Sequence, residues 1–448
     1  ISSPLFIEPG LGLENSSILF CDNDGYVYLI DIEGNYIWET PFYTGNDIWG
    51  SPSAADIDND QEIEFIISSK SKHIYIIDKD GYQEASFNSN QFLTATPVIG
   101  NFDSDENLEI VIGSMSNLGK VFVINHDGTL VDGFPLEINE KIWVGAAVLD
   151  INNDNIDEIL ISTDSGNLYL INNDGSLNDN FTINTGYNIR SAPSVASFDN
   201  NQKYLIFFGN DNGDFYCINE NGDIEFTRNL DYPIRSSPSI LEYNNNAYIF
   251  FTSENNLVHG IDINGYNIPG WPIEINSDIK SSCSFADLNF DNIPEIIFSS
   301  KNGDINVFQL NGNPYNDFPM NLNRIIENTP IIYDIDNDQD LEIITGDSKG
   351  LSIIDIKVNG QILPWNIYRS NSLRNGIYKI LETELCLEQI SGDINCDLSL
   401  DISDIVMIVN IILDQILLSG TQINISDMDS NNLIDILDIL IIINLILE

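Results

Sequence analysis

The sequence predicts a mainly β fold, an eight-bladed β-propeller, followed by a small helical module. A short phrase recurs eight times at a spacing of about 45 residues, which is typical of a four-stranded propeller blade. Each copy joins an apolar, β-branched and aromatic run to a Gly, which allows the tight turn after a strand. The copies are VYLIDIEG (27–34), IYIIDKDG (74–81), VFVINHDG (121–128), LYLINNDG (168–175), FYCINENG (215–222), VHGIDING (258–265), INVFQLNG (305–312) and IIDIKVNG (353–360). One blade cannot bury both of its faces, so the blades must stack and close into a ring.

Each repeat divides into four strands in the same order. The first begins near a Ser-Pro or Thr-Pro pair, as in SPSAAD (51–56), and the second follows a polar loop, as in EIVIGS (109–114). The third is the recurrent phrase, and the fourth carries an aromatic residue, as in GWPIEI (270–275). The first repeat is complete, which favours eight blades over seven. Helical periodicity is absent through residue 375. The segment PWNIYRSNSLRNG (364–376) breaks the strand repeat and ends its last copy, so we expect the propeller to occupy residues 1–376.

The composition narrows the choice of partners. The chain of 448 residues has 69 Asp+Glu against 17 Lys+Arg, a formal net charge of -52. Such a surface repels phosphate backbones and anionic lipids, so we expect no nucleic acid and no acidic membrane as partner. Carboxylates also keep a secreted protein soluble, and that accounts for part of the charge. No stretch reaches the roughly 18–20 apolar residues that span a bilayer. No signal peptide is visible, and the strand-like start at Ile1 suggests a processed or trimmed form, so a secreted location is inferred indirectly.

The loop between the first and second strands carries alternating acidic and amide side chains in five repeats. Oxygen ligands at positions 1, 3, 5 and 9 of a short loop suit a hard cation, and the lack of His and Cys favours calcium over zinc or copper. A single loop of this kind could be ordinary polar surface, but five in register favour metal binding. The expected calcium ligands are Asp56, Asp58, Asp60, Glu62 and Glu64; Asn101, Asp103, Asp105 and Glu109; Asp150, Asn152, Asp154 and Glu158; Asp287, Asn289, Asp291 and Glu295; and Asp334, Asp336, Asp338, Asp340 and Glu342. The equivalent loops of the first, fifth and sixth repeats lack this set, and we expect no ion there.

These loops resemble the calcium-binding FG-GAP-type repeats of secreted and cell-surface propellers, over about residues 2–375. The strand–turn phrases also resemble the blades of pyrroloquinoline-quinone-type propellers. The first resemblance implies an adhesion or ligand-binding platform, although some members are enzymes. The fold alone does not decide between these functions.

A different pattern begins near residue 391. Two segments, 392–413 and 426–447, repeat at a spacing of 34 residues, and each places oxygen ligands at positions 1, 3, 5, 9 and 12 of a loop followed by one predicted helix (402–413 and 436–447). This is the calcium-loop pattern of the EF-hand. The ligands are Asp393, Asn395, Asp397, Asp401 and Asp404, and Asp427, Asp429, Asn431, Asp435 and Asp438. Position 6, usually Gly, is Leu398 in the first loop and Asn432 in the second, so we expect the first loop to bind calcium more weakly.

This pair of units resembles a type I dockerin over residues 391–448, after a linker at 377–390. The resemblance implies a cohesin-type scaffold or a cell-surface protein as partner. It assigns partner choice to positions 10 and 11, which are Ile402, Ser403, Ile436 and Leu437. Packing of these apolar residues within the molecule is the alternative.

The five cysteines fall into two groups. Cys21, Cys217 and Cys283 lie in strand-like apolar settings and are expected to be buried and inert. Cys386 and Cys396 lie near the domain junction, and whether they form a disulfide in an exported protein is open.

Two catalytic signatures are absent from the sequence. There is no HExxH and no phosphate-binding glycine loop, and His73, His126 and His259 are scattered over different repeats. The residues just before the inner strands form a second candidate site, since equivalent positions ring one mouth of a propeller channel. Basic side chains beside flat aromatics suit an acidic polysaccharide, with chance as the alternative. The residues concerned are Trp49, Trp143, Arg190, Arg235 and Lys280.

The sequence therefore predicts a secreted, calcium-dependent, non-catalytic binding or adhesion propeller, attached to a scaffold or cell surface through its C-terminal module. The alternative is a propeller enzyme of an extracellular complex, a lyase acting on acidic polysaccharide. A quinone-dependent dehydrogenase is less favoured, because no cofactor-binding residues can be identified.

Overall fold

The structure, a computed structural model, describes residues 2–379 except 153, 198–202 and 245, together with residues 392, 405, 426, 428 and 436–447. The chain forms two compact units, Ile1–Tyr378 and Lys379–Glu448.

Eight antiparallel sheets follow one another along the first unit, and this confirms the eight-bladed propeller. The strands of the first four blades are, for blade 1, β1 (Leu5–Ile7), β2 (Ser17–Cys21), β3 (Tyr26–Asp31) and β4 (Phe42–Tyr43); for blade 2, β5 (Ser53–Ala55), β6 (Glu64–Ser68), β7 (His73–Ile77) and β8 (Gln83–Asn88); for blade 3, β9 (Val98–Gly100), β10 (Glu109–Gly113), β11 (Lys120–Ile124) and β12 (Leu136–Glu137); and for blade 4, β13 (Ala147–Leu149), β14 (Glu158–Ser162), β15 (Asn167–Ile171) and β16 (Leu177–Asn184).

The later blades follow the same order, with two additions and one omission. Their strands are, for blade 5, β17 (Ser194–Ser197), β18 (Tyr204–Gly209), β19 (Asp214–Asn219) and β20 (Ile224–Asn229); for blade 6, β21 (Ser239–Tyr243), β22 (Asn246–Ser253), β23 (Leu257–Asp262) and β24 (Ile273–Glu274); for blade 7, β25 (Ser284–Asp287), β26 (Glu295–Ser299), β27 (Asp304–Gln309) and β28 (Met320–Asn321); and for blade 8, β29 (Ile331–Tyr333), β30 (Asp340–Asp347) and β31 (Gly350–Asn359). Two late strands, β32 (Gln361–Ile362) and β33 (Ile377–Lys379), add to the inner edges of blades 7 and 5.

The hydrophobic core lies between the blades. One cluster joins blades 3 and 4 through residues such as Val111 and Ile159, and another joins blades 8, 1 and 2 through residues such as Ile344, Leu19 and Phe65. All strands of blade 1 come from the N-terminus, so side-chain packing rather than strand exchange closes the ring.

The aromatic residues predicted at the end of each repeat also join neighbouring blades. The indole Nε1 of Trp38 donates a hydrogen bond to the Lys79 carbonyl of blade 2 at 3.0 Å, and its ring lies over Gly81. A Cβ at Gly81 would come within 2.7 Å of that ring, and the residue has a φ of +87°. Both the close contact and the backbone conformation therefore require Gly at this position.

Residues 361–379, which we call the central segment, occupy the space enclosed by the inner strands. Backbone N–H groups from the inner strands of six blades donate to carbonyls of this segment at 2.9–3.3 Å; the donors are Ala54, Ile99, Val148, Val195, Phe285 and Ile332. The predicted break in the repeat pattern is therefore a structural element in its own right. The propeller unit continues to Tyr378, which is buried and donates to Glu242 at 3.2 Å, two residues beyond the predicted boundary.

Two arginines of the central segment are fully buried, and neither pairs with a carboxylate in the described part of the chain. Arg374 donates to the carbonyls of Pro4, Pro52 and Tyr368 at 3.0, 2.9 and 2.6 Å. The guanidinium of Arg369 donates to three further carbonyls, those of Ala146, Pro193 and Arg374. Burial lowers the pKa of both guanidinium groups to about 10, so both remain charged at neutral pH.

The three propeller cysteines, Cys21, Cys217 and Cys283, are buried and free as predicted, and burial raises the pKa of each thiol.

In the second unit the predicted helix at 436–447 is confirmed as α1 (Ile436–Leu447). The predicted helix at 402–413, apart from residue 405, and Cys386 and Cys396 lie outside the described residues. Within the described part of the chain, no helix combines the length and the apolar character that crossing a membrane requires.

Candidate metal centre

The five predicted loops lie on one face of the propeller. Successive strands of a blade are antiparallel, so the connections between its first and second strands share a face with those between its third and fourth. We call this the acidic-loop face. The remaining connections, including the positions just before each inner strand, lie on the opposite face, which we call the rim face.

The five loops share one backbone arrangement. The carboxylate at position 5 accepts a hydrogen bond from the N–H of position 7 in every loop, at 2.8–3.1 Å; the acceptors are Asp60, Asp105, Asp154, Asp291 and Asp338. At position 1, an Asp accepts from the N–H groups of positions 5 and 6 in four loops, through Asp56, Asp150, Asp287 and Asp334. The alternating side chains therefore do curl the chain, as the spacing predicts.

A buried glutamate at position 9 closes each loop. Its Oε2 accepts from the N–H of position 2 at 2.7–3.0 Å in all five, through Glu64, Glu109, Glu158, Glu295 and Glu342. Each is at most 3% exposed, and burial raises the pKa of these carboxyl groups to about 7 or 8. A charged carboxylate at this depth needs a cation beside it.

In three blades the carboxylates converge closely enough to hold a metal ion. Their ligand atoms lie within 4.8 Å of one another in the groups Asp56, Asp58 and Glu64; Asp103, Asp105 and Glu109; Asp334, Asp336 and Glu342; and Asp338, Asp340 and Glu342. Several of the same loops also contain buried oxygens without a hydrogen-bond partner, namely Asp58 Oδ1, Asn101 Oδ1, Asp340 Oδ1 and Glu342 Oε1. A bound cation would satisfy these oxygens, so the donor set fits a hard divalent ion.

The loops of blades 4 and 7 have the same backbone but a different side-chain arrangement. The Asn152 amide donates to Glu158 Oε1 at 2.9 Å, and the Asn289 amide donates to Asp291 Oδ2 at 3.0 Å. Rotation of either amide would present its oxygen to the loop centre instead. Glu295 Oε1 is buried without a hydrogen-bond partner, as in blade 8.

One predicted ligand lies apart from its group. The Glu62 side chain is 47% exposed and pairs with Lys79 at 3.4 Å, away from the centre of its loop. The sequence could not separate this residue from its neighbours, because the alternation continues through position 7.

Neighbouring loops are also connected to each other. The N–H of Leu108 in blade 3 donates to the Ile57 carbonyl of blade 2 at 2.8 Å, and the N–H of Asp157 in blade 4 donates to the Asn101 carbonyl of blade 3 at 2.7 Å. An ion that orders one loop therefore also stabilises its contact with the next blade.

Two of the three repeats without the acidic set, blades 1 and 6, have connections of a different kind. In blade 6, Tyr243 pairs directly with Asn246, so the connection is a two-residue turn with no loop to surround an ion. In blade 1, Gly10 and Leu13 bridge each other, and the blade 5 loop at 198–202 lies outside the described residues.

On the rim face, the predicted ligand residues form one continuous strip. Trp49 and Trp143 stack with ring centroids 6.4 Å apart, and the Arg190 guanidinium lies 5.3 Å from the Trp143 ring. Arg190 and Arg235 share Asp211, and Arg235 and Lys280 share Glu254. Trp143 therefore lies directly beside the basic side chain of Arg190 and not across the channel mouth from it.

The basic side chains of the strip do not form a positive patch, because Arg190, Arg235 and Lys280 each have an acidic partner. Arg190 binds Asp164 with two hydrogen bonds of 2.7 and 3.1 Å, Arg235 bridges Asp211 and Glu254 at 2.8 and 2.7 Å, and Lys280 lies 3.4 Å from Glu254. The three carboxylates come from turns between the second and third strands of the preceding blades. Three cations against three carboxylates leave no net charge to attract an anion.

In the C-terminal unit, the structure describes little of the predicted site. Asp438, position 12 of the second loop, is buried and accepts from the Met428 N–H at 2.7 Å, which joins the two ends of that loop. The remaining predicted ligands, Asp393, Asn395, Asp397, Asp401, Asp404, Asp427, Asp429, Asn431 and Asp435, and the predicted partner residues Ile402 and Ser403 lie outside the described residues. Ile436 and Leu437 begin α1, and their side chains are not described.

Known proteins match this chain in fold and not in sequence. No protein-family model and no curated protein matches it. The V. cholerae biofilm matrix protein Bap1 aligns at a TM-score of 0.59 with 12% identity, covering 82% of this chain and 90% of its own. The dihydro-heme d1 dehydrogenase NirN aligns at 0.57 with 10% identity (80% and 78% covered), and Saccharomyces cerevisiae Sqt1 at 0.54 with 14% identity (79% and 99% covered). At these identities the likeness establishes a shared propeller fold, on which a matrix protein and a dehydrogenase are both built.

Proposed function

We propose that this protein is a secreted, calcium-dependent, non-catalytic binding propeller that adheres to an extracellular partner. The observation that carries the proposal is the set of five loops with one backbone arrangement and one buried glutamate each. Calcium is the hard cation that such oxygen sites take where it is abundant, as it is outside the cell. Use of the same fold by Bap1, a biofilm matrix protein, is consistent with this setting.

Two observations support binding over catalysis. A lyase that acts at the rim strip needs a free cation there to neutralise the carboxylate of an acidic polysaccharide, whereas Arg190, Arg235 and Lys280 are all paired. The contact between Ser253 and His259 Nε2, at 2.8 Å, is buried within blade 6, where no substrate can reach it.

We propose further that the C-terminal module attaches the propeller to a cohesin-like scaffold or a cell-surface protein. The support is the repeated ligand spacing, the helix α1 and the contact that joins Asp438 to Met428. Ile402, Ser403, Ile436 and Leu437 are the proposed contact residues.

A single-loop substitution tests the calcium sites. Glu64→Gln should remove one bound calcium ion, because it neutralises the buried ligand while keeping the side-chain shape. The variant should lose stability in millimolar calcium and gain stability without calcium, since an uncompensated buried acid is gone. Isothermal titration and thermal melting measure the two effects. Glu14→Gln, in the connection of blade 1 that lacks the acidic set, is the matched control. An unchanged number of bound ions in Glu64→Gln would refute the assignment.

We propose that the rim strip contacts a saccharide, and its balanced charge favours a neutral one over the acidic polysaccharide predicted from sequence. Trp49 is 48% exposed and stacks on Trp143, with Lys70 Nζ 4.2 Å from its ring, and the paired Arg and Asp groups nearby offer both donors and acceptors to a sugar. On a panel of neutral and acidic glycans, Trp49→Ala should lose binding by about tenfold, or about 1.4 kcal/mol. Tyr82→Ala, an exposed aromatic in the turn after β7, should not. Preferential retention of acidic glycans that high salt abolishes would contradict the neutral assignment.

A further inference from the structure

The acidic loop of blade 8 differs from the other four at position 7. Strand β30 begins at this position, with Asp340, whereas β6, β10, β14 and β26 begin at the glutamate of position 9. Asp340 pairs with Asn359 of β31, and the register shifts between Asp340 and Glu342. The longer strand buries the Asp340 side chain to 8% exposure, while the equivalent Glu62 of blade 2 is half exposed.

This change creates a second group of ligands beside the first. Glu342 belongs to both groups of converging carboxylates in the blade. Its Oε2 is held by the Ile335 N–H at 2.9 Å, and its Oε1 is buried and receives no hydrogen bond. Oδ1 of Asp340 is also buried and receives none. Two inward oxygens therefore lack a partner at the point where the groups meet.

The charge at this point exceeds what one divalent ion can neutralise. The five loop carboxylates are joined by Asp355 of β31, whose charge acts on Asp340, and the cation beside them is Lys357, which pairs with Asp355. These groups leave five negative charges together, which one divalent ion reduces to three and two reduce to one. Such a cluster is costly to hold within a fold without further cations.

We propose that blade 8 binds two divalent cations, bridged by Glu342. The first is bound by Asp334, Asp336 and Glu342, and the second by Asp338, Asp340 and Glu342. The proposal rests on the proposed calcium-binding role of the loops and adds a sixth propeller site. It places the additional ion in the three-stranded blade beside the point where the ring closes.

Calcium stoichiometry of the full-length chain tests this site. In equilibrium dialysis with calcium alone, Asp340→Asn should bind one ion fewer than the wild-type protein. Asp338→Asn should also lose one ion. This variant is less disruptive to the fold, because Asp338 is exposed and an Asn side chain can still accept the hydrogen bond from the Asp340 N–H. Glu62→Gln, at the position in blade 2 equivalent to Asp340, should lose none.

The competing arrangement is a proton shared between Asp340 and its neighbours Asp338 and Glu342. It predicts that Asp338→Asn and Asp340→Asn bind as many ions as the wild type, and that result would overturn the proposal. If Asp340→Asn does not fold, the count for Asp338→Asn decides. Wild-type protein that binds no calcium at all would instead refute the proposed function, and the variants would then not be needed.

Discussion

Replacement of Arg374 by Met is expected to lower the free energy of unfolding of the propeller by about 3 kcal/mol or more. The Arg374 guanidinium donates to three carbonyls, and two of them, those of Pro4 and Pro52, are buried and precede the inner strands of blades 1 and 2. Met fills the space of the aliphatic stem but donates nothing, so each carbonyl is left without a partner at a cost of about 1–3 kcal/mol. Calorimetry of the full chain in millimolar calcium should show the transition several degrees lower.

The matched control is Arg235→Met on the rim face. The Arg235 side chain is 38% exposed, and its ion pairs are accessible to solvent, so its loss should cost no more than about 1 kcal/mol. Arg374→Lys should fall between the two, because an ammonium keeps the charge but not the fork that reaches several carbonyls. Equal shifts in Arg374→Met and Arg235→Met would show that the central segment does not stabilise the ring.

Removal of calcium should have the other large effect, and that effect should grow with pH. Each ion that binds only the folded loop contributes about 2.7 kcal/mol at a free concentration 100 times its dissociation constant. Five loops together should therefore shift the melting temperature strongly. Protein freed of calcium on a chelating resin should melt well below protein in millimolar calcium at pH 8.

The pH dependence follows from the buried glutamates. In the calcium-free protein, burial raises the pKa of Glu64 and Glu295 to about 8, from an ordinary value near 4.5. The fold favours the neutral form, so the contribution of these glutamates to the stability of the calcium-free protein is greatest below about pH 4.5 and is lost as the pH rises toward 8. Calcium requires the charged form, so its stabilising effect increases over the same interval. The melting temperatures measured with and without calcium should therefore move further apart from pH 5 to pH 8. A difference that stays constant over this range would contradict the proposed role of the glutamates.

The sequence predicted the blades well because each blade repeats the same local signals. Gly81 shows why: its positive φ and its contact with Trp38 are both required for the turn, so the phrase around it must recur. The loops were predictable for the same reason, since the alternation of Asp56 and Asp58 directly specifies which side chains point inward.

The central segment, the charge balance of the rim strip and the position of Asp340 depend on contacts between distant parts of the chain, which the sequence does not reveal. The central segment is held largely through backbone carbonyls, which leave no residue pattern to recognise. The sequence does not reveal the charge balance of the rim strip, because Asp211 and Glu254 lie 24 and 19 residues from Arg235 in sequence, in turns that carry no motif. The position of Asp340 depends on where β30 begins, and the alternating loop pattern does not specify that point.

The central segment also determines how the propeller would respond to mechanical tension. Residues beyond Tyr378 include the module proposed to attach the protein to a scaffold, so force transmitted through that attachment would enter the propeller at the end of the central segment. Six blades hydrogen-bond to this segment, and Arg369 and Arg374 reach the inner edges of blades 1, 2, 4 and 5. The pull would therefore be distributed over many bonds at the ring axis, instead of peeling one outer strand from a single blade. A propeller built in this way is suited to remain folded under tension applied at the end of the central segment.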